Sequence, residues 1–221
     1  MTEKRQEKLR SYPKIRGSHK APFKECIAFV KYDGSNLHWT WKDGEWVHFG
    51  TRRARYPYTE EGKREFNRKH EMLSACPVFA ESLRPILSNL FQEHFPGSVV
   101  IAFTEYLGDR SFAGSHKADD DMRLVLFDVS VDGVFLLPQD FLDIFAEVPH
   151  VAKVVYKGKL NGQFLDDVRS GKYDLDEGVV CKGVTMAWEG ALVPWMVKVK
   201  TNGYMEKLKA KHGSKWLDFW E

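Results

Sequence analysis

The sequence predicts an α+β fold in which antiparallel sheets are flanked by helices. Three observations lead to this class. Apolar and alternating segments have the patterns of strands, Asp-Gly pairs predict hairpin turns between strands, and segments with helical periodicity separate the groups of strands. No repeat, low-complexity stretch or linker interrupts the 221 residues, so we expect one domain over residues 1–221.

Each element follows from its periodicity and its boundaries. The predicted strands, in chain order, are 26–30, 36–42, 45–50, 98–108, the hairpin 122–137, 151–156, 177–184 and 191–200. The predicted helices are 62–73, 80–95, 141–148, 162–171 and 204–211. We expect tight turns at Asp43-Gly44 and Asp132-Gly133, and we expect Pro85 to perturb the second helix. Several strands end in charged residues, and a functional site should gather at those ends.

The composition excludes several classes of protein. With 43% hydrophobic and 14% aromatic residues, the chain is not disordered. Cys26, Cys76 and Cys181 are far apart and the histidines are scattered, so we expect neither a disulfide framework nor a structural zinc site. No segment is long and apolar enough for a membrane span, and the first residues lack the apolar core of a signal peptide. These features predict a cytoplasmic protein.

The distribution of charge is a weaker indication of a nucleic-acid partner. The formal net charge is only +2, but lysine and arginine are concentrated in segments 1–24, 52–69 and 198–215. Such basic segments can contact nucleic-acid phosphates without a strongly basic chain, and they can equally be solvated surface.

The segment "KYDGSN", Lys31 to Asn36, places a lysine directly after an apolar strand. A lysine must be neutral to act as a nucleophile, and its reference pKa is about 10.4. Neighbouring cations or partial burial would lower that pKa, and the mouth of a buried strand provides both. Asp33 and Gly34 predict a tight turn, after which Asn36 can point back into the same pocket. The alternative interpretation is a surface lysine in front of an ordinary turn.

Further charged or aromatic residues stand at other strand ends. They are Glu105 in "EYLG", Phe127 in "LFDV", Glu177 and Lys182 in "DEGVVCKG", and Lys198 and Lys200 in "WMVKVK". Lys198 and Lys200 are two residues apart and therefore share one face of a strand. Taken singly, Phe127 fits a core position and the charged residues fit strand edges or exposed faces. Their order along the chain is what indicates a site.

Taken in order, these segments resemble the motifs of the covalent nucleotidyltransferase superfamily, which comprises ATP-dependent RNA and DNA ligases and the mRNA capping guanylyltransferases. The order is KxDG, a Thr/Ser-Arg element in "GTRRAR", a carboxylate strand, an aromatic strand, EGxVxK and KxK, over about residues 27–201. The residues of these segments are most similar to those of the ATP-dependent RNA ligase family that includes the nick-sealing phage enzymes. The resemblance implies a nucleotidyltransferase (ATP-grasp-like ligase) domain.

The resemblance also implies a role for the residues near the first motif. Lys31 would attack the α-phosphate of ATP and hold AMP, and Asp33 would belong to the same nucleotide site. Asn36 would lie by the phosphates or the RNA end. Arg52 would bind phosphate, with Arg53 as its substitute because the doubled arginine leaves the register open.

The later motifs complete the implied site. Glu105 would hydrogen-bond the ribose of ATP, and Phe127 would stack on its adenine. Glu177 would help to hold hydrated Mg²⁺ or Mn²⁺. The three lysines of the last two motifs would neutralise the triphosphate and the transition state; they are Lys182, Lys198 and Lys200.

Two features depart from the family pattern. Val30 stands where many relatives carry an acidic residue before the nucleophile, which bears on base selection although ATP is still expected. The sequence ends about 20 residues after the KxK strand. We therefore expect no OB-fold domain and no capping activity, and we expect RNA binding to fall to the three basic segments.

The sequence therefore predicts an ATP-dependent RNA ligase that acts as a monomer on RNA with 5′-phosphate and 3′-hydroxyl ends. A minimal DNA ligase, or a ligase for both polymers, is the alternative within this class, because no short motif reports contacts to the 2′-hydroxyl. The alternative outside it is a nucleic-acid-binding relative without catalysis. The presence of Lys31, Glu105, Glu177 and both lysines of "KVK" speaks against that alternative.

Overall fold

The computed structural model describes residues 11–108, 111, 121–187 and 190–219. The strands are β1 (Arg16–Gly17), β2 (Glu25–Lys31), β3 (Ser35–Lys42), β4 (Glu45–Thr51), β5 (Ala54–Pro57), β6 (Val100–Leu107), β7 (Arg123–Val131), β8 (Val134–Phe135), β9 (Val154–Lys159), β10 (Gly178–Met186) and β11 (Leu192–Lys200). The helices are α1 (Glu60–His70), α2 (Ala75–Val78), α3 (Arg84–His94), α4 (Pro138–Phe145), α5 (Gly162–Arg169) and α6 (Asn202–His212). Within these ranges no helix is long and apolar enough to cross a membrane.

The strands form two sheets, which confirms the predicted α+β class. One has the order β5-β4-β3-β6-β7-β8 and the other β1-β11-β10-β2-β9. The pairs are antiparallel except β1 with β11, a two-residue parallel pair too short to show alternation in the sequence. The chain separates into unit 1, the described residues of Met1–Pro13, Asp33–Leu136 and Asp140–Val151, and unit 2, those of Lys14–Tyr32, Leu137–Gln139 and Ala152–Glu221. The single domain over 1–221 stays a prediction.

Unit 1 contains the first sheet and an aromatic core on one of its faces. Trp39 is fully buried on β3, and its ring stacks on Phe79 with centroids 3.8 Å apart. The predicted hairpin turn joins β3 to β4, with φ of 52° at Asp43 and 84° at Gly44. These left-handed values match the right-handed twist of the flanking strands, which is why Asp-Gly was a reliable signal.

The helical segment before β6 differs from its prediction. It begins at Ala75, five residues earlier than expected, and a π-helical turn at Phe79–Leu83 separates α2 from α3. Pro85 lies in the first turn of α3, where its missing N–H is tolerated. The perturbation expected from Pro85 is therefore confirmed, and it takes the form of a π-helical turn followed by a new helix start.

Unit 2 contains the second sheet, with α5 packed on one of its faces. Alternate residues of three strands point to that face and are buried with the apolar side of α5; they are Cys26, Ala28, Val179, Cys181, Val197 and Val199, with Leu160, Phe164, Leu165 and Val168. Because strand side chains alternate, the intervening residues of β2, β10 and β11 lie on the other face.

Candidate active site

Strand register brings the first and last predicted motifs of unit 2 together. Gly178, at the start of β10, pairs with Lys31 on β2 and with Lys200 on β11. The strands approach so closely here that a Cβ at Gly178 would lie 2.0 Å from the carbonyl oxygen of Val199. Glycine also suits the φ of 150° at this position. Gly178 therefore allows two lysines to flank one strand end.

All four predicted lysines of unit 2 share one sheet face. Lys182 and Lys198 follow the same alternation as Lys31 and Lys200, opposite the face that packs against α5. Lys182 is 5% exposed, and its Nζ lies over the ring of Phe29, 5.1 Å from the centroid. This face therefore carries four lysines, whereas the opposite face packs its apolar side chains against α5.

Glu177 contacts two of these lysines. Its Oε2 lies 2.7 Å from Lys31 Nζ, and its Oε1 lies 3.4 Å from Lys200 Nζ. The Glu177 and Lys200 side chains are buried, at 3% and 6% exposed, whereas Lys31 is 23% exposed. One carboxylate thus holds a buried and an accessible ammonium group, and the cluster keeps a net positive charge.

The pKa of Lys198, on the same face, is lowered by its surroundings. Burial, followed by the neighbouring charges of Lys200 and Lys31, lowers its pKa to about 8, while the charge of Glu177 acts in the opposite direction. At neutral pH Lys198 is therefore charged but close to its titration range.

In unit 1, the predicted ribose-binding residue lies beside the start of β3. Glu105 on β6 pairs with Asn36 on β3, so the two side chains share a face. The backbone N–H of Gly34 donates a hydrogen bond to Glu105 Oε1 at 3.2 Å. A Cβ at Gly34 would lie 2.4 Å from the carbonyl oxygen of Tyr106, so only glycine fits. The Asp33-Gly34 segment thus fixes Glu105 as well as turning the chain.

Phe127 lies at an irregularity between β6 and β7. Phe103 pairs with Asp128 and Thr104 with Leu126, which leaves Phe127 as the extra residue of a bulge. Its ring is only partly buried, in contrast to the core position that alternation alone would assign. Tyr12 meets it edge to face, with ring centroids 4.9 Å apart and an interplanar angle of 89°.

Tyr12 was not predicted as a site residue. It is 6% exposed, and its hydroxyl donates a hydrogen bond to Asp128 Oδ2 at 2.8 Å. Burial and the charges of Asp128 and Glu105 raise its pKa well above the usual value. Nothing in the local sequence "SYPK" identifies Tyr12, because its hydrogen-bond partner Asp128 is 116 positions away.

The two arginines of "GTRRAR" occupy the turn between β4 and β5, and both are exposed. The ambiguity between Arg52 and Arg53 therefore persists. Arg55 lies on β5, where its Nη2 is 2.6 Å from His48 Nδ1.

His38 is a second residue without a sequence-based prediction. It lies two residues after Asn36, on the same face of β3, and is 2% exposed. Neither ring nitrogen has a hydrogen-bond partner of acceptable geometry within the described chain. Burial, followed by the charges of Arg55 and His48, lowers its pKa to about 4, and the Thr51 backbone acts in the opposite direction. The alternation in "NLHWTW" was the signal that could have paired His38 with Asn36.

The described residues contain no group of three or more His, Cys, Asp or Glu side chains that could hold a metal ion. The predicted metal residue, Glu177, faces a lysine with each oxygen. A fully protein-built metal cage is thus not present in this part of the chain. The metal-binding role of Glu177 stays a prediction, in which a hydrated ion would take its other ligands from substrate phosphates and water.

No family model matches the sequence, and no similar sequence is found among curated proteins. The fold is similar to that of an RNA ligase from Naegleria gruberi. The TM-score is 0.60 at 16% identity for a mutant with ATP and manganese. It is 0.58 at 16% identity for a mutant with AMP and manganese. It is 0.56 at 17% identity for the ligase with pyrophosphate.

Each of these matches covers 90% of this chain and 58% of the ligase chain, so the chain spans a little over half of the ligase's length. At 16–17% identity the likeness concerns the fold. It confirms the fold class that the ordered motifs predicted. The chain therefore has an α+β fold similar to that of this RNA ligase.

Proposed function

We propose that the protein is an ATP-dependent RNA ligase that joins 5′-phosphate and 3′-hydroxyl ends through a lysyl-AMP intermediate. The observation that carries this proposal is the Glu177 carboxylate, which holds the accessible Lys31 amine and the buried Lys200. A lysine presented on a cationic sheet face suits attack on a phosphate. The fold similarity to an RNA ligase in structures with ATP, AMP and pyrophosphate supports the same activity.

In the first step, Lys31 Nζ releases a proton to solvent and attacks the α-phosphorus of ATP. The P–N bond forms as the bond from that phosphorus to the β-bridging oxygen breaks. Pyrophosphate leaves, and AMP stays on Lys31 as a phosphoramidate. Glu177 orients the amine at 2.7 Å, while Lys198 and Lys200 offset the charge that develops on the leaving group. Lys182 adds charge on the same face.

The residues that we propose for recognition of the adenosine part of ATP belong to unit 1. Phe127, with its partly exposed ring, would stack on adenine, which is worth about 1–3 kcal/mol per stacked base. Glu105, fixed by the Gly34 N–H, would bind ribose hydroxyls. Asn36 and one of the exposed turn arginines would contact phosphate.

A divalent cation, Mg²⁺ or Mn²⁺, would be held by Glu177 through water and by the triphosphate. When bound, it would neutralise phosphate charge. The residues of this chain supply the rest of the positive charge.

Two further steps complete ligation. An oxygen of the RNA 5′-phosphate attacks the phosphorus on Lys31, the P–N bond breaks, and Lys31 regains a proton. The 3′-hydroxyl of the other end then attacks the 5′-phosphate phosphorus, so that a phosphodiester bond forms, AMP leaves and the hydroxyl proton passes to solvent. The exposed lysines and arginines of segments 52–69 and 198–215, with those of the described part of 1–24, are the groups we propose for RNA.

Intact-mass spectrometry with ATP and Mg²⁺ tests the first step. We expect a gain of one AMP on the wild type and none on Lys31→Ala. Lys172→Ala is the matched control, because Lys172 is exposed in unit 2 and pairs only with Asp167 among the contacts resolved for it. No adduct on the wild type, with other nucleoside triphosphates also tried, would contradict the proposal and favour a nucleic-acid-binding relative without catalysis.

The preference for RNA or DNA is tested in a separate experiment with nicked and single-stranded substrates. A strand that ends in a ribonucleotide 3′-hydroxyl should be sealed faster than its deoxy counterpart. Equal rates would favour a ligase for both polymers, and a faster deoxy strand would favour a DNA ligase.

A further inference from the structure

Helix α6 begins directly after Lys200 and is tied to the backbone of Glu177. Thr201 is the N-cap, and its hydroxyl accepts a hydrogen bond from the Tyr204 N–H at 3.1 Å. The Thr201 N–H donates to the Glu177 carbonyl oxygen at 2.9 Å. The Thr201 hydroxyl also lies 3.4 Å from the Asp176 carbonyl oxygen. The first turn of the helix is therefore fixed relative to the Lys200–Glu177 pair.

This cap brings Tyr204 back over the lysine that precedes the helix. Lys200 Nζ lies above the Tyr204 ring, 5.0 Å from its centroid. Tyr204 is 8% exposed and Lys200 is 6% exposed, so the contact is largely removed from water. The Lys200 ammonium is held by the Glu177 carboxylate and by an aromatic face.

We propose that Tyr204 is a positioning residue that holds the Lys200 ammonium in place for phosphoryl transfer. The inference rests on the proposed function of the site. Lysine has a long flexible side chain, and a buried ammonium needs compensating contacts to remain ordered. A second carboxylate would supply such a contact but would also cancel the positive charge that a triphosphate requires. The ring face attracts the ammonium without neutralising it.

Tyr204 also belongs to a small apolar cluster, which gives it a competing structural role. This cluster contains Met205 and Leu208 of α6, with Trp216 packed against it. A substitution that only loosened the helix would act through this cluster. The test must therefore separate the effect of the ring contact with Lys200 from the effect of packing in this cluster.

Three variants make this separation. Tyr204→Phe keeps the ring and removes the hydroxyl. Tyr204→Leu keeps an apolar side chain of similar reach and removes the aromatic face. Leu208→Ala leaves Tyr204 intact and opens the same cluster, so it reports the effect of packing alone.

The measurement is the single-turnover rate of AMP transfer to Lys31 as a function of ATP concentration, with the melting temperature of each variant. We expect Tyr204→Leu to lower the maximal rate about tenfold, with the half-saturating ATP concentration changed far less. We expect Tyr204→Phe to stay within about twofold of the wild type. Leu208→Ala should lower the melting temperature and leave the rate of the folded protein unchanged.

A wild-type rate in Tyr204→Leu, or an equal loss in Leu208→Ala and Tyr204→Leu, would overturn the inference while the proposed function stands. An equal loss in Tyr204→Phe and Tyr204→Leu would also overturn it, since the hydroxyl would then be responsible. If the wild type forms no adduct, the proposed function fails instead. NMR spectra then test whether the Tyr204 ring lies over Lys200. A ring-current shift of the Lys200 ε-methylene protons should be present in the wild type and absent in Tyr204→Leu.

Discussion

Glu177 Oε2 accepts a hydrogen bond from Lys31 Nζ at 2.7 Å, although 146 positions separate the two residues in sequence. Strand register explains the contact, because Gly178, the neighbour of Glu177, pairs with Lys31. Gly178 pairs with Lys200 on its other side, and Lys200 approaches the same carboxylate. Glu177 therefore contacts both lysines with a single carboxylate.

Replacing Glu177 by glutamine should impair both activity and stability. Glutamine keeps the shape of the side chain but removes the negative charge that faces Lys31 and the buried Lys200. We expect adduct formation on Lys31 to fall about 100-fold and the free energy of unfolding to fall by about 3 kcal/mol. Single-turnover mass spectrometry and urea unfolding measure the two effects.

The control for this variant is Glu60→Gln. Glu60 pairs with Lys63 on the exposed side of α1, so its charge should contribute little to stability and nothing to adduct formation. If Glu177→Gln behaved like Glu60→Gln, the carboxylate would have no part in presenting Lys31.

Replacing Gly178 by alanine should distort the same place through the backbone. The added Cβ would lie 2.0 Å from the Val199 carbonyl oxygen, at a φ of 150° that side chains rarely adopt. We expect a loss of about 2–4 kcal/mol in the free energy of unfolding, together with a loss of adduct formation. Gly203→Ala is the matched control, because nothing lies within 4 Å of its Cβ position and alanine favours a helix. Both variants are measured by urea unfolding. Comparable losses in the free energy of unfolding would show that the close approach of the strands does not require glycine at position 178.

Much of the fold was predictable because strand signals are local. The Asp43-Gly44 turn, the alternation before it and the KxK spacing each identify structure within a few residues. The short parallel strand β1 was not predictable, since two residues carry no periodicity. The early start of the helical segment at Ala75 was missed because the sequence around Pro85 suggested one perturbed helix.

The candidate site was predictable only where a motif exists. Lys31, Glu177 and Lys200 were expected to act together, and the register of β2, β10 and β11 brings them together. Tyr12 and Tyr204 were not expected, because the ring contact that each makes depends on tertiary packing. No local pattern encodes the position of an aromatic ring over a distant or preceding side chain.

Lys198 should set the alkaline limit of the first step. Burial and two neighbouring lysines lower its pKa to about 8, so it loses its charge as the pH rises through that value. Since a neutral Lys198 cannot offset charge on pyrophosphate, the rate of adduct formation should fall above about pH 8. Arginine keeps its charge at high pH, so Lys198→Arg should move this decline to above about pH 9.

The measurement for Lys198 is the pH profile of the single-turnover rate at saturating ATP. Lys172→Arg, at an exposed position, should keep the wild-type profile. An unchanged alkaline limb in Lys198→Arg would assign the decline to another group.

His38 should make the protein sensitive to mild acid. Its pKa is about 4 in the folded protein, against an ordinary value of 6.5, because burial disfavours the charged ring. Between these two values the unfolded chain binds a proton that the folded protein does not, so the free energy of unfolding falls as the pH drops from 6.5 to 4. The loss from this single residue should approach about 3 kcal/mol.

Urea unfolding at a series of pH values tests this prediction. The free energy of unfolding should depend less steeply on pH in His38→Gln than in the wild type. His94→Gln, at an exposed position on α3, should keep the wild-type dependence. Identical curves for the wild type and His38→Gln would mean that His38 is protonated in the fold, and its two nitrogens would then need an acceptor that the described residues do not provide.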